Sequence, residues 1–111
     1  MAVNELRVNC ELLEPVKIHY LPALFSASNN GNEISVSVTY NGEPVALSGS
    51  VKGYAVKEDG TTSSFNGSLS GNVATVTIPG SALMKGAILI SVMLIEGIET
   101  TTIASISTSV I

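Results

Sequence analysis

A chain of 111 residues with 13% charged and 45% apolar side chains and a net charge of −4 is long enough for one domain around one core. Soluble domains usually hold about 25% charged residues, so Ser, Thr and Asn must cover much of this surface. Arg7, Lys17, Lys52, Lys57 and Lys85 are scattered, and with only 5% aromatic residues the chain has no basic stripe that reads as a nucleic-acid interface.

A weakly charged face is cheap to dehydrate, because few ionic groups leave water when another protein covers it. That favours a homo-oligomer or a larger assembly. The plainer alternative is a secreted β domain with a Ser/Thr-rich solvent face. The longest apolar run, Ala87 to Ile95, is too short to span a bilayer as a helix. Met1 to Leu13 is interrupted by Glu5, Arg7, Asn9 and Glu11, so no secretory leader is expected. Cys10 is the sole cysteine; it rules out an internal disulfide, fits a product of a reducing cytoplasm, and reads as a small core hydrophobe.

In chain order, residues 1–32 read as an N-terminal arm and residues 33–111 as the folded domain. Leu6, Val8, Cys10 and Leu12 alternate with polar residues, and Val16, Ile18 and Tyr20 alternate again after Pro15, giving two extended pieces. A helix with Leu6, Cys10 and Leu13 on one face matches fewer positions and stays open. Leu21 to Phe25 is apolar but broken by Pro22, and Ser26 to Asn32 is a turn cluster.

The strand Ile34 to Tyr40 alternates strictly and ends at Asn41-Gly42, a tight-turn pair. A short strand near Val45 to Leu47 and a longer one over Val51 to Lys57 follow, closed by Glu58-Asp59-Gly60-Thr61. Ser63 to Leu69 returns, Ser70-Gly71-Asn72 turns, and Val73 to Ile78 places Ala74, Val76 and Ile78 on one face. Ser81 to Gly86 reads as one helical turn with Ser81 as its N-cap. Ala87 to Ile95 is apolar on both faces, which predicts a central strand with the core on one side and a neighbour on the other. Thr100 to Ile111 is a last β-branched strand. The pattern predicts an all-β fold: an antiparallel Ig-like β-sandwich of about seven strands with an extended N-terminal arm.

Catalysis has little to work with. His19 is the only histidine, Asp59 the only aspartate, and Cys10 has no histidine near it in sequence, so neither a nucleophile–base pair nor a closed zinc site is expected. Glu58-Asp59-Gly60 reads as a turn rather than a calcium loop. The glycine-bearing stretches Gly31-Asn32-Glu33 and Gly67 to Asn72 open no helix, so they are not phosphate loops. Tyr20, Phe25, Tyr40, Tyr54 and Phe65 could line a sugar-binding face, but Tyr40 follows the inward phase of its strand and reads as core. No cofactor and no metal are expected.

From Gly31 to about Ile106 the order of Gly31-Asn32-Glu33-Ile34, Asn41-Gly42-Glu43-Pro44-Val45, Leu47-Ser48-Gly49, Val51, Gly53-Tyr54, Asp59-Gly60-Thr61, Gly67 to Asn72 and Ile78-Pro79 resembles a β-module of bacteriophage head fibre proteins. More distantly it is similar to the N-terminal domain of phage baseplate upper proteins. Two departures are Val56-Lys57-Glu58, where such modules carry a more arginine-like strand end, and the stop at Ile111, where such proteins commonly run on after the last strand through a Thr-rich stretch into a linker and a distal fibre or receptor-binding part. The resemblance implies a virion structural protein that decorates the capsid or forms the base of a head fibre, with the major capsid protein or another virion protein as partner. The homo-oligomer favoured by composition becomes a trimer by analogy with fibres, and the scattered bases and short apolar run leave neither nucleic acid nor membrane as an expected partner. The N-terminal arm then becomes the assembly interface through Leu6, Val8, Leu12, Val16, Ile18, Tyr20 and Phe25. A tail or baseplate fibre attachment domain, or a host carbohydrate-binding adhesion module, is the alternative.

Overall fold

The computed structural model describes residues 4–14, 18–20 and 32–110, with only the backbone described for Asn4, His19 and Tyr20. Val16, Phe25 and the segments around Pro15 and Pro22 lie outside the described residues. Among the described residues nine strands follow in chain order: β1 Asn4–Glu11, β2 Ile18–Tyr20, β3 Asn32–Tyr40, β4 Glu43–Pro44, β5 Ser50–Lys57, β6 Thr62–Ser70, β7 Val73–Ile78, β8 Gly86–Glu96 and β9 Glu99–Val110.

Period-2 alternation is what makes these strands. Ile34, Val36 and Val38 on β3, Ala74, Val76 and Ile78 on β7, and Ile88, Ile90, Val92 and Leu94 on β8 are all buried, while the side chains between them are exposed or half-buried, save Ser35, which is buried beside the Thr75 hydroxyl at 3.1 Å. With Phe65, Ile103 and Ile106 they form one core. At about 1.5–3 kcal/mol for each large side chain buried, this seam is the main stabilising term.

The strands join along a single path, β1-β3-β7-β6-β5-β8-β9-β2, with β4 beside β3. The expected all-β class is present, but the arrangement departs from an Ig-like sandwich of about seven antiparallel strands. The sheet curls as one nearly closed, barrel-like surface, and β1 comes back against β9. Two of its pairings are parallel, β1 with β3 and β2 with β9. The chain between Glu11 and Asn32 supplies the long crossover that a parallel pair requires. Both described pieces of residues 1–32 are therefore strands of the same sheet.

Strand β6 makes the corner. Thr62 to Asn66 pair with β5, and Gly67 to Ser70 pair with β7. A Cβ on Gly67 would run into the carbonyl of Thr75 and the methyls of Val51 and Val76, so the bend needs a residue with no side chain. Opposite it on β5, Gly53 pairs directly with Phe65, whose ring lies across the glycine and fills the space of its missing side chain.

Three local expectations change. The turn after Pro79 is a 3-10 turn over Gly80–Ala82, with Pro79 in the N-cap position and no side-chain cap, so Ser81 lies inside it. Residues 45–48 are not a strand: the Val45 N–H still donates in register to the Val38 carbonyl at 3.2 Å, but Leu47 then leaves β3 and donates to the Gly71 carbonyl of the β6–β7 turn at 3.0 Å. Tyr40 continues the inward phase of β3, yet it is 55% exposed, because it is the last residue of the strand and lies beyond the end of the core.

Candidate interaction surfaces

One end of the barrel gathers the close of β1, the β3–β4, β6–β7 and β8–β9 turns and the segment 45–48. Backbone bonds build it. Val38 donates to the Asn72 carbonyl at 2.9 Å, the Asn72 side-chain amide donates to the Val38 carbonyl at 3.1 Å, and Leu47 donates to the Gly71 carbonyl at 3.0 Å. The Ser48 hydroxyl donates to Glu96 Oε2 at 2.9 Å and ties the segment to the end of β8. Between these parts lies a groove of about 250 Å³, lined by Leu12, Val38, Val45, Leu47, Leu94 and Ile103 with Glu96 among its polar walls.

Glu11 fixes the lip of this groove. Its carboxylate accepts the N–H of Gly42 at 2.7 Å, Asn41 at 2.9 Å and Leu13 at 3.1 Å, and the Thr39 hydroxyl at 3.3 Å. Asn41 and Gly42 have positive φ values of 51° and 82°, so their amides point together and make a small anion cradle. The Gly42 amide above all, then Leu13, holds the Glu11 carboxyl below the ordinary carboxylate range. A depressed pKa stabilises the fold above the unfolded value, about 4, and the contribution is lost as pH falls through the folded value. Asp59 titrates the same way, held down by the Thr61 hydroxyl first and then its amide. Glu11→Gln is expected to lower the melting temperature at pH 7 and to flatten its decline between pH 5 and pH 3. Thermal unfolding followed across that range checks both effects.

A second surface lies on the outer side of β5, β8, β9 and β2. Tyr54, Ser91, Ser105 and Ile18 form one row across these four strands, and Val56, Leu89 and Ser107 form the next, with Tyr20 in register at its end. Tyr54 and Leu89 are exposed and Ile18 is 49% exposed. Short serines separate the apolar side chains, and neither row contains a charged residue. The outward side of β8 is thus open to water at Ala87 and Leu89, rather than covered on both faces by this chain.

The sequence-predicted interface residues fall in three places. Ile18 belongs to the outer face and Leu12, 43% exposed, to the groove, while Val8 is buried in the core and Leu6 packs partly against it. Val16 and Phe25 lie outside the described residues, as does the side chain of Tyr20. Sequence reasoning missed the groove and the clamp of Glu11 on Asn41-Gly42, because a parallel contact across 30 residues leaves no periodic signal. The outward residues of β8 were legible as a run apolar on both faces.

Cys10 is a core residue on β1. Burial, and then the neighbouring Glu11 charge, raises its thiol pKa, so the reactive thiolate is scarce at neutral pH. In the native protein the thiol is expected to resist an aromatic disulfide reagent and to react at the rate at which β1 opens. Prompt stoichiometric labelling without denaturant would contradict this placement.

Among the described residues no group of His, Cys, Asp and Glu has the makings of a metal site, and no helix is long and apolar enough to cross a membrane. The geometry offers surfaces for binding. No protein-family profile matches the chain, and no curated protein matches it. Among solved structures it is similar to the N-terminal domain of phage TP901-1 ORF48, at 18% identity and a TM-score of 0.53, over 96% of this chain and 97% of that one. The likeness is one of fold and runs nearly from end to end.

Proposed function

We propose that this chain is a structural component of a bacteriophage virion, a capsid-decorating or head-fibre base subunit whose work is binding rather than catalysis. It docks on the major capsid protein or another virion protein and associates with copies of itself, as a trimer by preference. The observation that carries this reading is a convergence. The ordered turn motifs from Gly31 to Ile106 resemble phage head fibre modules, and the whole fold is similar to a domain of a phage protein. The uncharged rows holding Ile18, Tyr54 and Leu89 support self-association, since covering them removes no ion from water. A tail or baseplate attachment domain is the second reading, favoured because the similar phage domain is N-terminal in its protein.

The test pairs mass with particle binding. The purified chain should have the mass of a trimer and should cosediment with virions of the phage that encodes it. Leu89→Asp, at an exposed position that leaves the core intact, should yield monomers with an unchanged melting profile. A monomeric wild-type chain that stays in the supernatant would overturn the proposal.

A further inference from the structure

The groove at the barrel end has a chemistry that names its occupant. Its floor is apolar, and its volume of about 250 Å³ falls below the range of roughly 300–1,000 Å³ usual for small-molecule sites. That size suits one inserted side chain of a protein partner. The surroundings are acidic. Residues 11–14, 38–50, 70–73 and 94–102, which build this end, include Glu11, Glu14, Glu43, Glu96 and Glu99 and neither Lys nor Arg. Those are five of the nine acidic residues of the chain. Glu43, Glu96 and Glu99 are exposed, and Glu96 itself lines the groove. The apolar surface continues past the rim, where Leu12, Leu13, Tyr40 and Ile98 are four of the eight large apolar side chains exposed among the described residues.

We propose that this groove docks a segment of a partner virion protein in which one large apolar side chain is flanked by lysine or arginine. The proposal rests on the virion-attachment reading and supplies its docking chemistry. The apolar anchor fills the space above Val38, Leu94 and Ile103, the kind of central pocket in which binding energy concentrates. The flanking cations meet Glu43, Glu96 and Glu99, which speed encounter and select against acidic segments. Such attraction is screened by salt over a Debye length of about 8–10 Å.

Two probes of the full chain test this. An acetylated pentapeptide with leucine at its centre and lysines on both sides should shift the amide resonances of residues 45–48 and 94–101. A version with glutamates in place of the lysines should bind at least tenfold more weakly. Glu43→Lys/Glu99→Lys, at two exposed positions away from the Ser48–Glu96 bond, should lose binding of the lysine peptide by a similar factor with its melting profile unchanged, and 0.5 M salt should do the same to the wild type. Equal binding of both peptides, or shifts confined to the outer face of β5 and β8, would overturn the proposal.

The second probe is cosedimentation with virions. If the wild type sediments and the Glu43→Lys/Glu99→Lys variant does not, the groove is the docking site. If both sediment equally, the groove proposal falls and the virion reading stands; if the wild type fails to sediment, the virion reading itself falls. Salt-sensitive self-association abolished by Lys85→Glu would make the occupant the opposite end of a second copy, where Met84 and Lys85 are exposed, and would overturn the choice of a partner protein.

Discussion

Phe65→Ala is expected to lower the unfolding free energy by about 3–5 kcal/mol, as truncation of a buried aromatic side chain does. Against a total of about 5–15 kcal/mol for a domain of this kind, that loss leaves the protein marginal. The ring does two things at once: it is part of the core, and it covers the bare backbone of Gly53 directly across the β5–β6 pair. The partner substitution therefore has a sign that depends on the background. Gly53→Ala alone drives a methyl into the Phe65 ring and should cost about 1–3 kcal/mol. In the Phe65→Ala background the same methyl enters vacated space and should cost little or be stabilising. Denaturant titrations of the four proteins of this cycle measure the coupling, and additive effects would contradict the stacked arrangement.

Removal of residues 1–11 is the second large expected effect. It takes Val8 and Cys10 out of the core and Leu6 from its margin, and it exposes the hydrogen-bonding edge of β3 from Asn32 to Thr39. Val8 and Leu6 contribute on the order of 1.5–3 kcal/mol each when buried, less for the partly covered Leu6. The bared edge also offers a template for pairing with other chains. The shortened protein should be unfolded or aggregated at 37 °C, with exchange of the amides of β3 on the scale of seconds to minutes. If it instead melts as cooperatively as the full chain, β1 is dispensable to the barrel and an arm available for docking elsewhere.

The long strands from Glu33 onward, though not the short β4, were legible because period 2 and glycine-bearing turns are local signals; Asn41-Gly42, Glu58 to Thr61 and Ser70 to Asn72 each mark a reversal in the chain. What stayed hidden is non-local. Nothing in Leu6 to Glu11 says that it pairs in parallel with β3, since parallel and antiparallel edges share the same alternation. Closure of the sheet was equally silent, because in sequence the corner Gly67 looks like any turn glycine, and only its ordinary φ and the atoms packed where a Cβ would stand set it apart. Tyr40 shows the limit of periodicity from the other side, as phase predicts the direction of a side chain but not whether the core extends that far. Of the interaction surfaces, the apolar run of β8 could be read directly; the acidic groove required knowing which turns share an end.

Mass spectrometry of gradient-purified particles from the cells that produce this chain tests most directly the proposal that it works as a bound structural subunit of a phage particle. The intact protein is expected in the particle at a fixed copy number divisible by three, stripped by high salt in step with loss of groove binding. Its absence from particles, while it accumulates freely in the cell, would mean that it is not a virion subunit.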